Sequence, residues 1–177
     1  MFFIPWNVLY SLECSLFLTL AMTLTVHLES KNMKCVIVSQ NRRDETLRKQ
    51  LTDVLATRGC RAELLEYGAG VAGYQLYQNI VDANPDFIIT IDLAGFSLRT
   101  DTDEIAFINL NFPSINLITK ETERESLDCL RKKLSIAMFF YCEMGGYDYL
   151  VKEFPGIPYL KLVESWDEAV DDAMKEM

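Results

Sequence analysis

Histidine is almost missing from this sequence: His27 is the only one in 177 residues, and it precedes the region where strand and helix patterns alternate. A Ser–His–Asp triad, a Cys–His pair or a His-ligated zinc site is therefore excluded from residues 33–177. Acid–base chemistry there would have to use carboxylates, Lys, Tyr or Cys. Positive charge is also scarce, with 17 Lys and Arg against 26 Asp and Glu, a net −9. Such a balance excludes a nucleic-acid backbone binder, which needs a basic face to displace counterions, and docking on anionic lipid. The five cysteines (Cys14, Cys35, Cys60, Cys129 and Cys142) form no C-x-x-C pair and are odd in number. Cys35, Cys60, Cys129 and Cys142 lie in or beside apolar runs, as free buried thiols do, which points to a reducing, cytoplasmic compartment. Repeats and low-complexity segments are absent, and the length suits one ordinary domain.

Residues 1–32 read differently from the rest. Val8 to Leu28 is a long apolar stretch interrupted by Glu13 and His27, and its length suits a membrane span. No Lys or Arg precedes it and no A-x-A site follows, so it is a poor signal peptide. Lys31, Lys34, Arg42 and Arg43 follow it, so an inserted anchor would leave the domain facing the cytoplasm. The alternative is translated upstream sequence ahead of a natural start at Met33. Both readings leave residues 33–177 as a single domain.

That domain alternates strands and helices. Cys35–Val38 is a short apolar run ended by Ser39-Gln40-Asn41, and a helix follows with Leu47, Leu51, Val54 and Leu55 on one face, stopped by Gly59. Ala62–Tyr67 is a second strand. Gly68 to Gly73 is a turn, and Tyr74, Tyr77, Ile80 and Val81 mark a helix ended by Asn84-Pro85. Phe87–Ile91 is apolar throughout, as a central parallel strand should be. An irregular stretch from Gly95 to Pro113, with a short helix around Ile105–Asn109, leads to a strand at Ile115–Ile118. Thr122 and Glu125 have capping-box spacing ahead of a helix with Leu127, Leu130 and Leu134 buried. A strand at Ile136–Tyr141 and a helix through Tyr147, Leu150, Val151 and Phe154 come next. The last strand is Tyr159–Val163, and Ser165 with Glu168 repeats the capping box before a helix carrying Trp166, Ala169, Val170, Ala173, Met174 and Met177. Six strands with helices between them predict a three-layer α/β fold, Rossmann-like or flavodoxin-like, with a doubly wound and mostly parallel sheet.

In such sheets ligands bind beyond the carboxyl ends of the strands, where the strand order reverses. The rule nominates Ser39, Gln40 and Asn41; Gly68, Gly70 and Gly73; Asp92 and Gly95; Thr119 and Lys120; and Glu143, Gly145 and Gly146. Loops need polar residues and glycines in any case, so each has a purely structural alternative. Asp92 is the foremost, because Asp is disfavoured in strands and this one ends the most buried of them. Gly68-Ala-Gly-Val-Ala-Gly73 is a literal G-x-G-x-x-G between a strand and a helix, the pattern that brings backbone amides to a pyrophosphate. It follows the second strand, whereas dinucleotide folds place it after the first. Asp101-Thr-Asp103-Glu104 reads as an acidic helix start rather than a cation site, so no metal is expected. No cofactor is assigned.

The layout resembles the N-terminal Rossmann-like half of GT-B glycosyltransferases. The likeness lies in Met33-Lys-Cys-Val-Ile-Val38, the helix ending Arg58-Gly-Cys60, Asn84-Pro-Asp-Phe-Ile-Ile-Thr90 and Phe154-Pro-Gly-Ile-Pro158. Ser39-Gln-Asn41 stands where many such enzymes carry a glycine-rich loop. The resemblance implies a sugar-nucleotide or other phosphorylated ligand and a second half, here a partner chain, that supplies most of that site. A membrane link is implied only if residues 8–28 are a native anchor. The domain also resembles receiver domains: Asp92 ends a strand, Thr119 follows at similar spacing, and Tyr149-Leu-Val-Lys152 is similar to their lysine segment. Ser39-Gln40 replaces their acidic, Mg²⁺-holding pair, which implies a degenerate, protein-binding relative. The leading expectation is a ligand- or partner-binding domain without a complete catalytic site. A regulatory interaction domain is the alternative, and a nucleotide-dependent oxidoreductase comes third.

Overall fold

A computed structural model describes residues 32–40, 44–67, 73–99, 112–119, 124–132, 138–157 and 159–177. Met33–Met177 is one compact unit. The apolar leader, the short helix expected around Ile105–Asn109, the acidic run Asp101–Glu104, Thr122 and the side chain of its capping partner Glu125 lie outside what is described. Among the described residues no helix is long and apolar enough to cross a membrane.

Six strands, β1 (Lys34–Gln40), β2 (Arg61–Tyr67), β3 (Phe87–Ile91), β4 (Ser114–Ile118), β5 (Met138–Cys142) and β6 (Leu160–Leu162), form one sheet in the order β2-β1-β3-β4-β5-β6. All five pairings are parallel. The helices are α1 (Glu45–Thr57), α2 (Gly73–Ala83), α3 (Arg124–Lys132), α4 (Met144–Glu153) and α5 (Trp166–Glu176). The three-layer, doubly wound α/β fold is therefore the one the alternation of patterns predicts.

Strand periodicity sorts the core into two layers. Cys35 and Ile37 of β1, Phe87, Ile89 and Ile91 of β3 and Tyr141 of β5 face α1 and α5, meeting Leu51, Leu55, Trp166, Ala169 and Val170. Val36, Val38, Ile88, Ile118 and Phe140 face the other way, against Leu76 and Ile80 of α2, Leu127 and Leu130 of α3 and Leu150 of α4. β3 and β4 are buried along their whole length, which is why both read as unbroken apolar runs apart from Thr90, Ser114 and Asn116.

Two helix ends follow local chemistry. Gly59 takes φ +72, so its N–H reaches Ala56 O at 3.0 Å while the Cys60 N–H reaches Leu55 O at 2.9 Å, a Schellman closure of α1. At α5, Ser165 Oγ accepts from the Glu168 N–H at 3.3 Å, and Glu168 Oε2 accepts from the Glu164 N–H at 3.1 Å. Other boundaries shift. Ser39 and Gln40 belong to β1 rather than ending it, because both keep the ladder with β2. Tyr159 sits at φ +54 outside β6 and is half exposed. On α2, Tyr74 and Val81 face solvent, and Gly73, Leu76, Ile80 and Ala83 form the buried stripe at helical spacing.

α1 and α5 are joined by the Arg58–Asp171 ion pair. Asp172 of α5 accepts from Lys161 Nζ at 2.5 Å and from the Tyr141 hydroxyl at 2.8 Å. Arg58 holds the Asp171 carboxyl below its ordinary 3.8, and Lys161, with help from Tyr141, does the same for Asp172. Carboxylates lowered in the folded state stabilise it above their unfolded pKa, and that stability is lost as pH falls through the lowered values. Both sites are partly solvated, so each is worth about 0.2–1 kcal/mol. Between about pH 5 and about pH 2, the urea midpoint of the wild type should fall more steeply than that of the Asp171→Asn, Asp172→Asn double variant. Parallel curves would show that these pairs contribute nothing.

Candidate functional site

The chain steps from β1 outward to β2 and then returns across β1 to β3. The connection after β1 therefore leads to the α1 layer, while the segment after β3 turns to the other face, where Leu93, Ala94 and Phe96 are buried. This divergence places the switch point between the carboxyl ends of β1 and β3. Gln40 and Asp92 each lie two residues beyond the paired Val38 and Thr90.

Asp92 is the best defined group on this rim. Its N–H donates to Leu117 O at 2.8 Å. Its Oδ1 accepts from the Thr119 N–H at 2.7 Å, and the Thr119 hydroxyl lies 2.9 Å from Oδ2 and 3.1 Å from Oδ1. The tips of β3 and β4 are thus tied by a carboxylate. Asp92 and Leu93 occupy the left-handed region in succession, at φ +51 and +58. Asp tolerates that conformation, but a non-glycine residue such as Leu there costs of order 1–3 kcal/mol, and surrounding packing must hold it. Leu93 is fully buried, which supplies the hold.

The other nominated residues divide clearly. Gln40 is exposed at the tip of β1. Glu143 is exposed at the tip of β5, where it caps α4 through its carbonyl, accepting from the Tyr147 N–H at 2.9 Å, while its side chain makes no capping bond. Gly95 has φ +87 in the turn after β3. Gly145 is open around its Cα, whereas a Cβ on Gly146 would stand 2.8 Å from Ile118 O. Asn41, Gly68, Gly70 and Lys120 lie outside the described residues. Gly73, the last glycine of the G-x-G-x-x-G, is buried at the start of α2 against the backbone of Arg99. A Cβ there would stand 2.7 Å from the Arg99 carbonyl carbon and 2.8 Å from its nitrogen, and nearer still to its oxygen. Its requirement is close packing of α2 on the segment after β3.

Compared with known protein families and with curated proteins, the chain matches none. The site must therefore be read from its own chemistry. Cys142 lies at the end of β5, where burial and the Asp92 charge push its thiol up to about 12, so it is a poor nucleophile. Cys35, Cys60 and Cys129 are buried. Burial and a hydrogen bond with Cys60 push the Cys35 thiol up. Among the described residues no group of three or more His, Cys, Asp or Glu side chains could hold a metal.

Two polar features escaped the sequence reading. Thr90, Ser114 and Asn116 form a buried cluster: the Thr90 hydroxyl donates to Asn116 Oδ1 at 2.7 Å, and Asn116 Nδ2 donates to Ser114 Oγ and to Phe139 O, each at 3.2 Å. Arg48 of α1 is the second. It is 5 % exposed and pairs with Glu66 of β2. Its Nε and the Oγ of Ser39 are buried without a hydrogen-bond partner among the described residues. Orphan polar atoms of this kind cost about 1–3 kcal/mol each and call for an explanation. The signal was present in the spacing, since Arg48, Leu51 and Leu55 fall on one helical stripe.

Proposed function

We propose that residues 33–177 are a ligand-binding Rossmann-like domain whose site is the carboxyl rim at the β1–β3 switch point. The observation that carries this is the left-handed Asp92–Leu93 pair at the tip of the central strand, with the Asp92 carboxylate fixed by Thr119. Backbone strain held by packing at a switch point is the signature of a preorganised binding edge. A carboxylate there accepts hydrogen bonds from hydroxyls, so ribose or sugar hydroxyls suit it, and a small phosphorylated or sugar-nucleotide ligand is the class proposed. The half-transferase version, resembling the first half of a GT-B enzyme, adds a partner chain that completes the site. Without histidine in the domain and with the Cys142 thiol raised by burial, the rim is read as a binding edge.

Thermal-shift titration against NAD(P), UDP-sugars, flavin and Mg²⁺ tests the reading. A ligand at a hundredfold excess over Kd stabilises the fold by about 2.7 kcal/mol. Asp92→Asn keeps the left-handed turn but removes the charge, so it should fold and lose most of that response. A response that Asp92→Asn leaves intact would move the site away from the rim, and silence across the panel would favour the interaction reading. That second reading draws on Met144, Val151, Tyr159 and Leu162, exposed apolar side chains along α4 and the β6 edge of the sheet. Its check is the oligomeric state by light scattering across a dilution series.

A further inference from the structure

We infer that Ser39 and Arg48 form a subsite for a single oxyanion, a monophosphate or carboxylate group, at the carboxyl end of β1. The inference rests on the rim being a ligand-binding edge and adds the chemical class of one ligand group. Ser39 follows Cys35 and Ile37 on the face of β1 that meets α1, and it is the ladder partner of Glu66 on β2. Glu66 in turn pairs with Arg48. Arg48 is thereby tied to Glu66, the ladder neighbour of Ser39, at the carboxyl ends of β1 and β2.

Burial makes the pairing incomplete. Arg48 and Ser39 are 5 % and 0 % exposed, while the Glu66 side chain is 49 % exposed. Glu66 engages one guanidinium nitrogen, and Arg48 Nε and Ser39 Oγ are left without partners among the described residues. Both groups can donate, and an oxyanion is an acceptor that would take up both bonds. A groove of about 380 Å³ between α1 and β2 reaches Arg48 from the edge of the sheet, with Leu64 among its lining residues. Its lining carries Glu45, Asp53 and Glu66 against Arg48 and Lys49. That excess of negative charge opposes a polyphosphate more strongly than a single anionic group.

The test is a thermal-shift titration of the full chain with inorganic phosphate against chloride at matched ionic strength. A saturable stabilisation by phosphate alone is expected. Ser39→Ala, which removes a buried hydroxyl lacking a partner, should fold at least as well as the wild type and weaken phosphate about tenfold. Glu66→Gln should strengthen it several-fold by removing the competing carboxylate. Competition by acetate would show that the subsite accepts carboxylates as well, and its absence would restrict the subsite to phosphoryl groups; pyrophosphate should bind more weakly. The subsite is overturned by phosphate that does no more than chloride, by responses insensitive to both Ser39→Ala and Glu66→Gln, or by tighter pyrophosphate. A phosphate response lost only in Asp92→Asn would sink the subsite and leave the rim reading standing.

Discussion

Gly73→Ala should destabilise the domain by about 3 kcal/mol, near the upper end of overpacking costs, and lower its melting temperature by roughly 10 °C. The sign is the informative part. Within a helix, alanine is otherwise favoured over glycine by about 0.5–1 kcal/mol. If Gly73 served only to admit a pyrophosphate, the substitution would leave the apo domain as stable or slightly more so. The structure places the new methyl group against the backbone of Arg99, which cannot rotate aside as a side chain can. Destabilisation in the absence of any ligand, read by differential scanning calorimetry, therefore separates a packing glycine from a nucleotide glycine. An unchanged or raised melting temperature would return the G-x-G-x-x-G to the list of ligand-binding motifs.

Asn116→Ala should cost about 4 kcal/mol, combining a buried cavity with stranded polar partners. Asn116 is wholly buried and takes part in bonds to Thr90, Ser114 and the Phe139 carbonyl. Removing it leaves the Thr90 hydroxyl without its acceptor in the middle of the sheet. Replacing both partners with apolar groups removes that penalty, so Thr90→Val combined with Asn116→Leu should recover much of the loss. The double variant should thus be more stable than the sum of the single changes by about 1–2 kcal/mol. Additive urea midpoints would mean that the cluster contributes as separate bonds rather than as a network. The cluster lies below the rim on β3 and β4, the two strands that Asp92 and Thr119 tie together at their tips. Loosening it should therefore weaken any ligand response that depends on Asp92.

Sequence reading placed all six strands and the class of fold. Its misses are instructive at particular residues. Tyr74 and Val81 look like helix-face residues by size and spacing, yet the packed stripe of α2 runs through Gly73, Leu76, Ile80 and Ala83. Hydrophobicity marks a helix, but which side is buried depends on the surface it meets. Ser39 was nominated as a loop residue at the rim; it is a strand residue buried on the α1 side. A charged residue in an apolar stripe, such as Arg48, is normally solvated at its tip, so its burial shows only in the structure.

What the sequence determined by itself is local: the run of short apolar strands, the Schellman stop at Gly59, the Ser165 cap, and the absence of histidine chemistry from the domain. Each depends on neighbours within a few residues, where periodicity and backbone preference act. The strand order, the switch point between β1 and β3, the tie between Asp92 and Thr119, the seat of Gly73 on Arg99 and the pairing of Arg48 with Glu66 came only with tertiary structure. All of these join segments far apart in the chain, and their free energy comes from burial and long-range pairing, which no local pattern encodes.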